Sequence, residues 1–211
     1  MKIFRQVFSP IQVNTYTLKG NGRECIIIDC GCYDSNEEER FEVFLKSHDL
    51  KPALLLNTHC HLDHVFGNGF MKRRYGLKSR ADELDLSNLK SAPAHAMIFG
   101  LSMDKPPETG DPLKDGDQIV LGDMECEVIS VPGHTAGSLA FYFPSAGAVF
   151  TGDALFAGSI GRTDLEGGDF ETLVKSISTR LFSLPDDTVV YPGHGPETTI
   201  GHEKKTNPFF N

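Results

Sequence analysis

Four side chains of types that bind metal ions fall within six consecutive positions of this chain. They are His59, His61, Asp63 and His64, and they follow an apolar run that ends at Leu56. Residues two apart in an extended segment point to the same side, so His59 and His61 can bind one cation. Asp63 and His64 fall where the chain should bend into a helix, and they can serve a second cation. The segment therefore predicts a metal site.

Three more ligand-type residues share a second pattern. Each follows an apolar strand and is directly preceded by glycine: His134, Asp153 and His194. Glycine lets a backbone turn sharply where side chains crowd around an ion. If these strands end along one edge of a sheet, all seven residues face one cleft. Three histidines or carboxylates per ion, with one position open for water, are typical of a catalytic zinc, and two ions can share a bridging carboxylate.

The rest of the pattern predicts the elements that carry these residues. An opening hairpin and third strand are followed by a helix that Asp34 or Ser35 can cap and that runs to about Ser47. No helix or strand pattern holds between Ser91 and Gly110, a stretch that is either an apolar lid over a substrate or a packed loop. The predicted strands lie near 2–8, 11–18, 25–28, Leu54, 118–121, 124–131, 138–143, 147–151 and 188–191, and the other predicted helices near 65–75, 81–89 and 170–182.

Composition limits the classes of protein to which the chain can belong. Its 211 residues suit one well-cored domain, expected over 1–211. No stretch approaches the ~18 apolar residues of a membrane helix, and the first eight residues alternate like a strand rather than a signal peptide. Five cysteines without framework spacing suit reduced thiols, so a cytoplasmic protein is expected. A net charge of −9 argues against a nucleic-acid partner.

The metal motifs resemble those of the metallo-β-lactamase superfamily. Residues 58–64 match its histidine loop without a gap, and the likeness continues through 132–138, 150–153 and 192–195. The resemblance implies an α/β fold, a four-layer αββα sandwich. It also implies that Asp153 bridges two metal ions. The implied ligands of the first ion are His59, His61 and His134, and those of the second are Asp63, His64 and His194.

Within the superfamily the chain looks most like short, single-domain members of the hydroxyacylglutathione hydrolase (glyoxalase II) group. Residues 158–165 and 198–203 carry this likeness. Arg162 lies where those enzymes offer a basic residue to glutathione, but Asp164 replaces an aromatic one, so Arg162 is expected either to contact the substrate or to form a salt bridge within its loop. Full-length members also have a helical C-terminal domain that helps to bind glutathione, whereas this chain ends at residue 211. The resemblance thus implies a small-molecule thioester substrate, with a glutathione conjugate as the leading example.

The expected nucleophile is a metal-bound hydroxide, because two dications roughly 3.5–4 Å apart lower the pKa of a shared water. No separate protein acid or base is assigned, since a thiolate leaving group needs little protonation. Zinc is the first expectation, and nitrogen and carboxylate ligands also accept iron or manganese. Asp29, at the end of a strand, is expected either to orient a ligand histidine from behind or to be a turn residue.

Two other functions remain open at this stage. Residues 161–164 also resemble the persulfide dioxygenases of the same superfamily, which use one iron held by two histidines and the bridging-type aspartate. A non-enzymatic binding module is the outside alternative, and the retention of all seven ligand-type residues argues against it. A β-lactamase is less favoured because Asp153 occupies the bridging position and His64 completes the loop.

Overall fold

The computed structural model describes residues 1–210, and thirteen strands form three sheets within them. In chain order the strands are β1 (Lys2–Phe8), β2 (Val13–Lys19), β3 (Glu24–Ile28), β4 (Lys51–Leu56), β5 (Ser79–Arg80), β6 (Gln118–Leu121), β7 (Met124–Ser130), β8 (Leu139–Phe143), β9 (Ala148–Gly152), β10 (Leu155–Phe156), β11 (Ser159–Ile160), β12 (Val189–Pro192) and β13 (Thr198–Thr199). The α-helices are α1 (Ser35–Ser47), α2 (Leu62–Val65), α3 (Asn68–Tyr75), α4 (Leu86–Ile98), α5 (Phe170–Ser176) and α6 (Ile200–Thr206).

Two sheets pack face to face. The first has the strand order β1-β2-β3-β4-β5, with an antiparallel hairpin at one side and parallel β3, β4 and β5 at the other. The second has the order β13-β12-β9-β8-β7-β6, with β9 and β12 parallel. Apolar residues such as Leu18 and Ile28 from the first sheet and Val128 and Phe150 from the second form the core between them. Burial of this shared apolar surface stabilises the pair of sheets.

Helices cover the outer face of each sheet. On the first sheet, Phe41 of α1 and Met71 of α3 pack in one cluster with Ile27 of β3. On the second sheet, Leu173 of α5 and Ile200 of α6 pack in another. The order of layers is therefore helix, sheet, sheet, helix, which confirms the predicted αββα sandwich. Within residues 1–210, the helices lack the length and apolar content needed to cross a bilayer.

Two predicted helices have wrong boundaries. The helix expected over 65–75 is interrupted, since α2 ends at Val65 and the backbone N–H of Gly67 donates to the carbonyl of Cys30 at 2.8 Å. The helix expected over 81–89 begins instead with a 3₁₀ turn at 83–85, and α4 then continues through Pro93 to Ile98. Ala92 and Ala96 pack against the histidine loop in this extension. Burial of Ala92 and Ala96 in the folded chain thus outweighs the weak helix pattern of the local sequence.

Candidate metal centre

The structure brings the seven predicted ligand residues together at the ends of four strands. The histidine loop follows β4, His134 follows β7, Asp153 follows β9 and His194 follows β12. Their ligand atoms form overlapping groups in which all atoms lie within 4.8 Å of one another. The groups are His59 with His61 and His134, Asp63 with His64 and His194, and His59 with His64 and Asp153. The first two coincide with the ligand sets implied by the family resemblance.

Asp153 lies between the two main groups. Its Oδ1 is 3.3 Å from Nε2 of His64, and its Oδ2 is 3.6 Å from Nε2 of His194 and 3.8 Å from Nε2 of His134. Asp63 belongs to one side, because its Oδ2 lies 3.0 Å from Nε2 of His194. A carboxylate that lies near histidines of both groups, as Asp153 does through Oδ2, can serve as a bridging ligand.

Hydrogen bonds fix the orientation of the histidine rings. His134 Nδ1 donates to the carbonyl of Arg162 at 2.8 Å, and His194 Nδ1 donates to that of Gln12 at 3.1 Å. His64 Nδ1 lies 3.0 Å from Oδ2 of Asp29. With Nδ1 bonded in this way, each Nε2 is directed into the cluster. Metal-binding histidines show the same division between an outer acceptor and an inner ligand atom.

Asp29 accepts two further hydrogen bonds from the histidine loop. Thr58 donates through its backbone N–H at 2.8 Å and through its hydroxyl at 2.6 Å. The Asp29 side chain is buried, and its backbone has a φ of 52°. This conformation is uncommon for a residue with a side chain and places the carboxylate behind the loop. The contacts suit the orienting alternative that the sequence left open for Asp29.

Several buried atoms of the cluster lack the partners that a metal-free core would supply. His64 Nε2 and Asp153 Oδ1 lie 3.3 Å apart, and both are buried without forming a hydrogen bond. Nε2 of His59 and Nε2 of His134 face each other at 3.2 Å. Two neutral imidazoles placed in this way would direct lone pairs at each other unless a proton or cation lay between them. The donor set therefore fits divalent metal ions, since nitrogen and carboxylate ligands converge there.

The two sides of the cluster differ in their electrostatics. Burial, aided by the neighbouring imidazoles, lowers the pKa of His59 well below its ordinary range and that of His61 to about 3. Burial would also lower the pKa of His64, but the charges of Asp63, Asp153 and Asp29 outweigh it and raise that pKa well above the ordinary value. The pKa of His194 is raised against the effect of burial by its hydrogen bond to Asp63 and by the Asp153 charge.

Glycine is required where the His194 loop meets the other ligands. A Cβ atom on Gly193 would collide with Oδ1 of Asp153 and would lie 2.7 Å from Cε1 of His64. The sequence pattern of glycine before a ligand-type residue therefore has a steric cause at this position, because any side chain would push the ligands apart.

Other residues considered in the sequence occupy different surroundings. Cys60 is buried in an apolar cluster with Leu62 and Val65, and burial, followed by the charge of Asp85, raises its pKa well above the ordinary value. Arg162 has a side chain 54% exposed and forms a two-point ion pair with Asp164, at 2.7 and 2.8 Å. Its predicted contact with substrate stays a prediction.

The segment 91–110 divides into a helix and an irregular part. Its first residues complete α4, while Leu101 and Met103 pack beside Leu62 and Phe66 at the end of the histidine loop. Met97, Ile98 and Phe99 are exposed. Of the two alternatives predicted for this segment, a lid or a packed loop, the packed loop fits Leu101 and Met103.

Sequence reasoning did not single out Thr58, Gln12 or Asp85, although all three contact the segments that carry the ligands. The contact between the His194 ring and the Gln12 carbonyl spans 182 positions and uses only the backbone of Gln12, so no residue pattern could have revealed it. Thr58 is the first residue of the histidine loop at 58–64, so its position next to the ligands could be recognised from the sequence.

An αββα sandwich whose strand ends carry these histidines and aspartates defines a class of metal-binding proteins with hydrolase-like sites. A family model described as the metallo-beta-lactamase superfamily matches residues 9–194. The chain belongs to that superfamily.

Two relatives cover nearly the whole chain. A probable metallo-hydrolase, YqgX of Bacillus subtilis, is 36% identical over 100% of this chain and 98% of its own length. The hydroxyacylglutathione hydrolase GloC of Haemophilus influenzae is 38% identical over 96% of this chain and 95% of its own. The chain is thus similar in both sequence and length to hydrolases of the superfamily.

Solved structures share the fold. The B3 metallo-beta-lactamase BLEG-1 superposes with a TM-score of 0.92 at 32% identity, covering 100% of both chains. TTHA1623 in a di-iron-bound form gives 0.87 at 39% identity, covering 98% of this chain and 99% of that one. ETHE1 from Myxococcus xanthus gives 0.80 at 28% identity, covering 99% and 84%. The metals and activities mentioned in these names are properties of the three solved proteins.

Proposed function

We propose that this protein is a binuclear metal-dependent hydrolase of thioesters such as S-acylglutathione. The observation that carries the proposal is the pair of ligand groups with Asp153 between them, because one carboxylate shared by two groups is the arrangement that holds two ions together. In the proposed roles, His59, His61 and His134 hold the first ion and Asp63, His64 and His194 the second. Zinc is the first candidate, and the di-iron form of TTHA1623 makes iron a realistic alternative.

Divalent ions bound at these residues would supply a low-pKa water as nucleophile and polarise the substrate carbonyl. The chain's own residues would keep the ligands in place for that chemistry. Asp29 holds the ring of His64, and the Arg162 carbonyl holds that of His134. No protein acid is required, because a thiolate leaves without prior protonation.

Support for a thioester comes from two sources. The GloC relative is named as a hydroxyacylglutathione hydrolase, and it matches this chain over nearly the whole length of both. Arg162, whose backbone contacts His134, carries an exposed guanidinium close in sequence to the cluster. A cation there would suit a carboxylate of an anionic thiol.

One panel of assays tests the proposal. The purified protein would be analysed for metal content and assayed with S-lactoylglutathione, a lactone, a cephalosporin and a glutathione persulfide with oxygen consumption recorded. We expect about two divalent ions per chain and turnover of the thioester above the others. The His202→Ala variant is a matched control, because His202 is exposed. A fully active protein without transition metal would refute the metallohydrolase.

The second candidate is a mononuclear iron persulfide dioxygenase, with which the likeness to ETHE1 from Myxococcus xanthus is compatible. Against it, Asp63 lies 3.0 Å from His194 and joins a ligand group of its own with His64. A one-iron site leaves that group without a role. One iron per chain and oxygen consumption with persulfide, without thioester hydrolysis, would favour this candidate.

A further inference from the structure

A buried carboxylate outside the ligand cluster joins the two segments that carry the first ligand group. Asp85 is completely buried, at 0% exposure. Its Oδ2 accepts a hydrogen bond from the backbone N–H of Cys60 at 2.6 Å, and its Oδ1 accepts one from the N–H of Gly137 at 3.2 Å. Cys60 stands between His59 and His61, and Gly137 lies three residues after His134.

Asp85 does not act as an ordinary cap of helix α4. It occupies the N-cap position of α4, where an aspartate ordinarily accepts a hydrogen bond from a backbone N–H of the first helical turn. Its side chain makes no such capping bond. It contacts the helix instead through the side-chain amide of Asn88, at 3.2 Å. The carboxylate is thus directed away from its own helix and towards the two ligand segments.

Burying a carboxylate is unfavourable unless hydrogen bonds compensate for the lost water. The three hydrogen bonds described for Asp85 all come from neutral N–H groups. An apolar residue would avoid the cost of burial but would leave the N–H groups of Cys60 and Gly137 without this acceptor. The hydrogen bonds that Asp85 accepts therefore fix the backbone positions of Cys60 and Gly137.

The close approach of the His134 segment depends on glycine. A Cβ atom added to Gly137 would lie 2.8 Å from the backbone nitrogen and 3.0 Å from Cβ of Asp85. The two segments are also joined directly, since Leu139 N–H donates to the Thr58 carbonyl at 2.8 Å. That bond fixes the start of the histidine loop, and Asp85 fixes its middle, between the first two ligands.

We propose that Asp85 is a positioning residue for the first ligand group, because it sets the separation between the His59–His61 segment and His134. This inference rests on the proposed metal-binding function. It assigns to Asp85 no contact with metal or substrate. Its effect is to hold three imidazoles, whose ligand atoms lie within 4.8 Å of one another, ready for one ion.

The test is stepwise zinc binding to metal-free protein in competition with a chromophoric chelator. In Asp85→Asn an amide N–H₂ replaces one acceptor oxygen, so one of the two backbone donors loses its partner. We expect one of two zinc-binding steps to weaken about 10- to 100-fold, the usual effect of losing a group that orients a ligand. Gly137→Ala should weaken the same step. In an Asp63→Ala background, only the first ligand group is intact. Adding Asp85→Asn to that background should weaken the binding of the one remaining ion.

Two further measurements separate positioning from loss of folding. At saturating zinc, Asp85→Asn should recover most of its kcat with an unchanged KM, and its cobalt-substituted form should show a shifted visible spectrum. Asp34→Ala serves as the control, because Asp34 caps α1 through the N–H of Glu37 at 2.9 Å and its loss should leave both binding steps unaltered.

The outcomes are distinguishable. If the wild-type protein binds two ions and Asp85→Asn and Gly137→Ala bind both with unchanged affinity, the positioning role is wrong and the proposed function stands. If the wild type binds no divalent ion, the proposed function fails, and this inference fails with it.

Discussion

The imidazole of His134 and the backbone carbonyl of Arg162 are joined by a hydrogen bond of 2.8 Å. The carbonyl can only accept, so Nδ1 of His134 carries the proton and Nε2 is left with a lone pair for the ligand cluster. This contact places the backbone of Arg162 beside one of the proposed metal-binding histidines. It does not involve the guanidinium, so substitutions of the Arg162 side chain leave it available.

The first prediction follows from that separation. Arg162→Ala should raise KM for S-acylglutathione about 10-fold and lower kcat much less, because a guanidinium that binds the thiol part lies away from the reacting carbonyl. Steady-state kinetics with S-lactoylglutathione measures this split. A thioester of neutral N-acetylcysteamine should show little change in KM, since it has no carboxylate to bind.

Asp164 gives a companion test of the same contact. The hydrogen bonds from Arg162 lower the pKa of Asp164 to about 2, so the carboxylate is ionised at neutral pH and competes for the guanidinium. Asp164→Asn should therefore lower KM for S-acylglutathione. Arg180→Ala is the matched control, because Arg180 forms an exposed pair with Asp115 at 2.6 Å. Equal kinetics in wild type and Arg162→Ala would remove Arg162 from the substrate site.

The second prediction concerns the shared carboxylate. Asp153→Asn should reduce the bound metal by more than one ion per chain, because Asp153 faces His64 on one side and His134 on the other. Elemental analysis after gel filtration measures the stoichiometry, and Asp187→Asn, an exposed aspartate, is the control. Retention of two ions by Asp153→Asn would show that the two groups bind independently.

The sequence predicted those parts of the protein that neighbouring residues determine. The helix that runs to Ser47 was expected to be capped by Asp34 or Ser35, and in the structure the side chain of Asp34 accepts the capping hydrogen bond from the N–H of Glu37. The histidine loop could be recognised because its ligand-type residues lie within a few positions. The bend into a helix at Asp63 and His64 was likewise expected and is formed by α2.

Contacts between distant segments account for what the sequence could not predict. The carbonyl that orients His194 lies 182 positions away, and any residue type could supply it. The interruption of the helix expected over 65–75 occurs where Gly67 bonds to Cys30 in another loop. Asp85 falls inside the helix predicted over 81–89, and only the folded chain reveals that its side chain contacts Cys60 and Gly137.

The third prediction is that the two ions load with different dependence on pH. The pKa of His64 and that of His194 are raised, so these residues bind protons at higher pH than an ordinary histidine does, and an ion must displace those protons. Below those pKa values, the apparent affinity of the second group should fall about tenfold per pH unit for each proton displaced. His59 and His61 have lowered pKa values and are already neutral, so they add no such dependence between pH 6 and 8.

Chelator competition at pH 6, 7 and 8 measures both binding steps. Calorimetry in two buffers of different ionisation enthalpy counts the protons released at each step. The weaker step at pH 6 should be the one that Asp63→Ala removes. Identical pH slopes for both steps would contradict the assignment of protonated histidines to the second group.

The fourth prediction separates the two candidate enzymes by the function of Asp63. In a binuclear hydrolase Asp63 helps to hold the second ion, together with His64 and His194. Asp63→Ala should therefore lose one metal equivalent and ~100- to 1,000-fold in kcat/KM for the thioester, because one of two ions that stabilise the transition state is removed. The first ion should remain, since the group of His59, His61 and His134 is unaltered.

The same variant has the opposite outcome in a one-iron dioxygenase. There Asp63 lies outside the metal's ligand set, so Asp63→Ala would keep its single iron and most of its oxygen consumption with glutathione persulfide. Circular dichroism and thermal unfolding must first establish that the variant is folded, with Asp187→Ala carried through the same steps as an exposed control. One iron in both wild type and variant, with persulfide oxidation and no thioester hydrolysis, would replace the hydrolase with the dioxygenase.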